Sequence, residues 1–339
     1  MSALPSTYKA AVIVEANKPL VIQDIPLQQP GPGQVLVKVI ACGVCHSDLF
    51  VANGAFGPIF PRIPGHEVVG EVAAIGEGVT RVSKGDRVGG QWHGSHDNTC
   101  RACNRGLFQM CDTQKINGVT KDGGYAEFVL LRAEAVSRIP KDLDPAEVAP
   151  LLCAGVTTFN SMRKQHIEQG NVVAVQGLGG LGHLAVQFAS KMGYRTVAIS
   201  SGGSKRDFAR QLGAHDYIDT SKEDTNERLQ SMGGAAMIVS TAPDAKSISP
   251  LIGGLHAGGK LIVLAPVGPV AFDTGVMIDK GISVVGWPSG HALDSEETIQ
   301  FAQTHGIRCM VEKFPLSEVE KAMEACRSGR VRFRGVLLM

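Results

Sequence analysis

NVVAVQGLGGLGHLAVQFA, residues 171–189, decides how the second half of this chain folds. An apolar strand-like run leads into Gly177, Gly179 and Gly182, spaced G-x-G-x-x-G, and a helix is expected from Gly180 to Met192. The first glycine permits a tight turn, the second lets a pyrophosphate approach the backbone, and the third lets helix and strand pack closely. Phosphates would lie against the helix N-terminus, over Gly180 and Leu181, where free N–H groups and the helix dipole favour an anion.

Glycine-rich turns are common, so the surroundings of this one carry the argument. RTVAIS (195–200), the helical KRDFARQL (205–212), AAMIVST (235–241) and GKLIVLA (259–265) continue an alternation of apolar strands with helices of βαβ length. The region 155–290 is therefore expected to be a doubly wound parallel sheet of the Rossmann type, and the fold class α/β. Upstream the texture differs. KAAVIV, QVLVKVIACG and EVVGEVAAIG are short β-rich segments separated by PGPG, GEG and KGDRVGG, with no long amphipathic helix between them. That pattern predicts a compact β-barrel domain.

After residue 290 two helices and a strand remain. Asp294 is expected as an N-cap with Glu297 three residues on, and Ser317 with Glu320 opens a second helix that Gly329 closes before VRFRGVLLM. So little structure cannot build its own core. The tail is expected to return to the first domain, which then comprises 1–154 and 291–339.

The balance of 33 basic and 32 acidic residues argues against nucleic acid or a charged membrane surface as partner. MSALPSTYKA lacks the charged and apolar regions of a signal peptide, and no apolar run reaches about eighteen residues, so a soluble, cytoplasmic protein is expected. There the eight cysteines serve as thiols or metal ligands. Cys42, Cys309 and Cys326 sit among apolar residues and read as core.

The other five fall into two sets. ACGVCHSDLF holds Cys45, His46, Ser47 and Asp48, IPGHEVVGEV holds His66 and Glu67, and LLCAGVTTF supplies Cys153. Two thiolates and an imidazole brought together by folding make a three-ligand zinc site with an open fourth position. Such a site polarises a carbonyl or acidifies an alcohol, as hydride transfer with a nicotinamide requires. HDNTCRACNRGLFQMC, residues 96–111, places Cys100, Cys103 and Cys111 in a C-x2-C-x7-C array, with Asp97 three residues ahead. These ligands are local and fill four positions, which is the character of a closed structural site.

C-G-V-C-H-S-D, G-H-E-x-x-G-x-V, G-D-R-V, the cysteine lobe, L-C-A-G-x-T and G-L-G-G-L-G follow one another in this order. On these motifs the chain resembles, over essentially its whole length, the zinc-dependent alcohol dehydrogenases of the medium-chain dehydrogenase/reductase superfamily, most closely the microbial and fungal branch. The resemblance implies a GroES-like barrel as the catalytic domain. It also implies that Cys45, His66 and Cys153 hold catalytic zinc with Glu67 beside it, that Asp48 fixes the tautomer of His66, and that Ser47 takes the proton from the reacting alcohol. His46 and Arg334 match positions that contact the cofactor pyrophosphate, Thr157 lies near the nicotinamide, and Trp92 matches a wall of the substrate pocket. Members with an acid in the lobe support Asp97 as a ligand. A homo-oligomer is implied, a tetramer rather than a dimer.

Two departures bear on mechanism. Where NAD-binding chains carry an acid after the second strand, this one has Ser200 and Ser201 with Lys205 and Arg206 following, a set that donates to a 2′-phosphate and predicts NADP(H) over NAD(H). Many relatives place a relay histidine five residues after the first zinc cysteine. Here that position is Phe50, which joins Trp92 as a pocket residue. The expected function is a zinc-dependent alcohol dehydrogenase or aldehyde/ketone reductase with one catalytic and one structural zinc. Reduction of a conjugated C=C bond is the alternative within the superfamily, and a cofactor-binding protein without catalysis is the alternative outside enzymes. His93 and His96 read as loop or pocket residues and His183 as a helix residue.

Overall fold

The computed structural model describes residues 4–339. Its contacts divide the chain into two units, one of residues 1–156, 290–301 and 308–339, the other of 157–289 and 302–307. The short segment 302–307, expected with the tail, groups with the second unit.

In the first unit the backbone is organised around the strand Gln34–Val44. Val68–Ile75 pairs along one edge of it, while Phe128–Arg132 and Arg334–Leu338 share the other. Arg87–Gly90, Val136–Arg138 and the parallel strand Val311–Pro315 complete a seven-stranded sheet. Register shifts at Leu36/Val37 and Val39/Ala41 mark bulges in the central strand, and bulges increase local twist, which lets a sheet curl around side chains. Val35, Val37, Val39, Val68, Val72 and Leu131 are among the residues that fill it. Because the C-terminal strand pairs Gly335 with Val44, it delivers Arg334 to the end of the central strand.

The tail helices start differently from expectation. Ala292–His305 begins two residues ahead of Asp294, whose carboxylate reaches back to accept the His291 N–H at 3.1 Å. Asp294 is thus the third helical residue of a capping arrangement, not its N-cap. Ser317 lies in a 3-10 turn, Leu316–Glu318, before the helix Val319–Arg327, and Glu320 accepts the N–H of Leu20 at 2.6 Å instead of closing a capping box.

The second unit is a six-stranded parallel sheet in the order Asp216–Asp219, Arg195–Ser200, Val172–Gln176, Ala235–Ser240, Leu255–Val263, Ser283–Gly286. Val172–Gln176 and Ala235–Ser240 are buried throughout, as strands covered on both faces must be. The strand order reverses beside Val172–Gln176, and such a switch point opens a crevice at the C-terminal ends of the strands. Gly177 stands there, followed by the helix Gly182–Lys191.

Candidate functional site

Cys45 follows the central strand and caps the helix His46–Ala52, whose third residue, Asp48, accepts the Cys45 N–H at 2.9 Å. His66 and Glu67 lie at the start of the neighbouring strand, tied across by Gly43 N–H to the Glu67 carbonyl at 3.1 Å. Cys153 closes the 3-10 turn Ala149–Leu152. One ligand atom from each of Cys45, His66, Glu67 and Cys153 falls within 4.8 Å of all the others. Four residues spread over 108 positions meet at one point.

Cys45, His66 and Glu67 are buried and Cys153 half-buried, with the two sulfurs 3.7 Å apart. The hydrogen bond from Cys153 holds the Cys45 thiol well below its ordinary range, against the effect of burial, and the same bond followed by burial drives Cys153 up. One thiolate is therefore already favoured at this point. Burial raises the Glu67 carboxyl to about 7, although Arg334 opposes the shift by pairing with its Oε1. Burial disfavours the Arg334 charge too, but Glu67 and the two cysteines more than restore it. A side chain at Gly43 would run into the Glu67 carboxylate.

His66 Nδ1 is 3.3 Å from Asp48 Oδ1, a contact outside good hydrogen-bond geometry, and its Nε2 is buried with no hydrogen-bond partner among the described residues. Asp48 is in turn held by the Gly65 N–H at 3.3 Å and by the Tyr125 hydroxyl, which donates at 2.9 Å. The Trp92 ring stands edge-on to His66 with centroids 4.8 Å apart. Ser47 is half-buried and His46 exposed, and Phe50 packs against the His46 ring at 5.2 Å.

Asp97, Cys100, Cys103 and Cys111 form the other such cluster among the described residues, again with ligand atoms within 4.8 Å. Asp97 Oδ1 accepts the N–H groups of Thr99 at 2.7 Å and Cys100 at 2.9 Å, and Oδ2 accepts the Thr113 hydroxyl at 2.8 Å. These bonds, the Cys100 N–H foremost, hold its carboxyl far below the usual carboxylate range. Two sulfurs also receive backbone N–H groups, Cys111 from Asp97 and Cys100 from Cys103. The Cys103 N–H foremost lowers the Cys100 thiol, while burial raises Cys103 to about 12. His93, read as surface loop or pocket, lies in the strand His93–Ser95 and is fully buried, which removes the surface-loop alternative, with Nε2 at 3.1 Å from His96 Nδ1. Burial, His96 and His291 lower it to about 3.

In the second unit, a Cβ on Gly182 would collide with the Gly177 carbonyl, while one on Gly179 would meet nothing within 4 Å. Ser200, Ser201, Lys205 and Arg206 surround the turn after Arg195–Ser200, and Thr157 lies half-buried in the helix Ala154–Arg163. Two residues of the neighbouring strand Asp216–Asp219 brace that turn, and no motif in the sequence marks them. Asp219 Oδ1 accepts the Gly202 N–H at 2.8 Å, and Tyr217 donates its hydroxyl to the Gly202 carbonyl at 2.6 Å. The Arg206 guanidinium lies 5.0 Å over the Tyr217 ring. An acid therefore does reach this turn, from the neighbouring strand.

The chain is similar to known proteins over its whole length. Residues 31–141 match the family model of the alcohol dehydrogenase GroES-like domain, and 180–304 that of zinc-binding dehydrogenase. The alcohol dehydrogenase patD of Penicillium expansum is 53% identical over 338 residues, covering 100% of this chain and 99% of that one. An alcohol dehydrogenase of Geobacillus stearothermophilus is 38% identical, covering 97% and 98%. A cinnamyl alcohol dehydrogenase of Sorghum bicolor superposes with a TM-score of 0.88 at 32% identity, covering 98% of this chain and 97% of that one. With a GroES-like barrel, a Rossmann sheet and matches running the length of both, the chain belongs to the zinc-dependent alcohol dehydrogenase family of the medium-chain dehydrogenase/reductase superfamily.

Proposed function

We propose that this oxidoreductase holds zinc on Cys45, His66 and Cys153 and interconverts an alcohol with its aldehyde or ketone using NADP(H). The observation that carries the reading is the buried His66 Nε2, which has no hydrogen-bond partner among the described residues and stands beside two sulfurs. Leaving such a nitrogen unpaired costs about 1–3 kcal/mol unless something binds it. Two thiolates and an imidazole are a donor set that zinc takes with a position to spare.

Zinc there would supply a Lewis acid that polarises the carbonyl or acidifies the alcohol, and the nicotinamide the hydride. The chain's own residues do the rest. Asp48 stands 3.3 Å from the far nitrogen of His66, placed to favour one tautomer, and Tyr125 and Gly65 steady Asp48. Glu67 stands as a fourth donor, the one oxygen of the set, restrained by Arg334. Ser47 Oγ takes the proton from the substrate hydroxyl and passes it toward solvent. Trp92 and Phe50 supply apolar pocket walls. His46 and Arg334 are assigned to the cofactor pyrophosphate and Thr157 to the nicotinamide.

A structural zinc on Asp97, Cys100, Cys103 and Cys111 belongs to the same reading. So does a cytoplasmic homo-oligomer, tetramer rather than dimer. The strand Ser283–Gly286 ends its sheet, and Ile278 on the preceding helix is 82% exposed, a free edge and an apolar side chain that association would cover. No helix among the described residues is long and apolar enough to cross a membrane.

For the cofactor, the support is the donor set Ser200, Ser201, Lys205 and Arg206 at the turn after Arg195–Ser200, against which the Asp219 carboxylate on Gly202 counts. Assay of primary, secondary, aromatic and enal substrates with both nicotinamides, before and after 1,10-phenanthroline, tests both parts. NADP(H) is expected to be favoured at least about tenfold, with turnover lost on chelation and restored by zinc. Turnover surviving complete metal removal overturns the zinc assignment, and a tenfold preference for NADH the cofactor assignment. In Tyr217→Phe, losing one hydrogen bond worth about 0.5–1.5 kcal/mol should raise the KM for NADPH severalfold and that for NADH less.

Phe50 stands where an imidazole would titrate in a proton relay, so alcohol oxidation should lack the pH dependence that a relay histidine imposes. Phe50→His is expected to introduce one in the kcat profile between about pH 6 and 8. An unchanged profile in a folded, zinc-loaded variant would count against the relay argument.

A further inference from the structure

Away from both cysteine clusters, the barrel unit carries a cavity of about 220 Å³, several times the roughly 30 Å³ share of one water molecule in the liquid. Ile25, Pro26, Leu36 and Phe128 supply apolar wall, and the rings of Tyr8 and Phe128 meet edge to face, 5.9 Å apart. Lys121 is its only basic lining residue. The backbone of Lys121 is fixed by its N–H to the Ile116 carbonyl at 3.3 Å and by the bridge to Asn117, but its Nζ has no hydrogen bond or ion pair among the described residues. Asp122, the acid beside it, is engaged elsewhere, with Arg62 at 2.8 Å and the Ile63 N–H at 3.1 Å.

We propose that Lys121 is an imine-forming site for small ring-bearing aldehydes, a second point at which this protein meets carbonyl compounds, chemically separate from hydride transfer. The Nζ lone pair adds to the carbonyl carbon, and the carbinolamine loses its oxygen as water together with the two amine protons, leaving C=N. Nothing is oxidised or reduced. The site rests on the proposed function only for the source of the aldehyde.

Burial, more than the charges around it, favours the neutral form of the amine. Burial, then Arg132, lower Lys121 to about 8, against Glu134 and Asp122, which act to raise it. Asp122 and Tyr8 are the other titratable groups on the cavity; Tyr8 is itself raised by burial and by Asp122, and so stays a neutral phenol. At pH 7 about a tenth of Lys121 is then uncharged, against roughly one part in 2,500 of an ordinary lysine, and lower basicity gives back only part of that advantage. Apolar walls shelter the ring of a bound aldehyde, and the unpaired Nζ gives up no ion pair to react.

The test is to incubate the zinc-loaded protein, without nicotinamide, with benzaldehyde and sodium cyanoborohydride, and to follow benzylation of each lysine by peptide mass spectrometry. Lys121 is expected to be labelled at least tenfold faster than the exposed Lys84 at pH 7, with the ratio collapsing toward one above pH 10. Lys121→Arg should remove that adduct alone and leave alcohol turnover unchanged. Equal labelling of Lys121 and Lys84 at pH 7, or a ratio that does not change with pH, overturns the proposal. Because no turnover is involved, neither result depends on the zinc or NADP(H) assignments.

Discussion

Replacing His66 with alanine is expected to lower the zinc content from two atoms per subunit to one and turnover by roughly four orders of magnitude, about 5–6 kcal/mol of lost barrier stabilisation. The size follows from what remains. Without the imidazole the cluster retains two sulfurs 3.7 Å apart and a carboxylate already engaged by Arg334, a set short of the three donors that hold zinc with a free position. The fold should survive. Asp48 keeps the bonds it accepts from Cys45, Gly65 and Tyr125, so the helix start and the strand that position the cluster lose none of their ties. Elemental analysis, circular dichroism and kcat/KM on one preparation check this. Two zinc atoms and undiminished turnover in His66→Ala would place the chemistry elsewhere.

That the cluster can be named from the sequence at all reflects the locality of its parts. Cys45 and Asp48 sit three apart because a capping helix start requires it, His66 and Glu67 are adjacent because one strand delivers both, and the glycine loop is dictated by a turn and a close contact. Ligand chemistry restricts residue types so strongly that spacing becomes informative. The supports behind these residues obey no such restriction. Tyr125, Tyr217 and Asp219 each act across the fold, from 77 positions away in the case of Tyr125 and Asp48, and sit in strands or turns whose pattern serves packing equally well. His93 was unreadable for a related reason, since burial beside His96 is set by how the lobe folds back. The tail shows the limit for helix starts. An acid ahead of an apolar run signals the first turn, but its place as cap or as third residue depends on where Gly290 and His291 leave the chain.

Asp97→Ala is expected to give the other large effect, loss of one zinc with turnover initially kept, and rapid proteolysis within 97–111. The carboxylate has two functions that substitutions separate. It faces the three sulfurs as an oxygen donor, and it closes a turn by accepting the N–H groups of Thr99 and Cys100. Asp97→Asn retains an oxygen for the turn but removes the charge, so zinc should be held more weakly and leave first under chelator competition. Asp97→Cys restores an anionic ligand, and zinc prefers to be closed by four such donors in structural sites. Zinc content should then return to two, with the turn loosened because sulfur is a poor acceptor for two N–H groups at once. The order expected for retention of the second zinc is thus Cys and the unaltered Asp above Asn, and Asn above Ala. If all four hold one atom per subunit the lobe carries no metal and its thiols are free. If all four hold two, the three sulfurs suffice and Asp97 serves the turn alone.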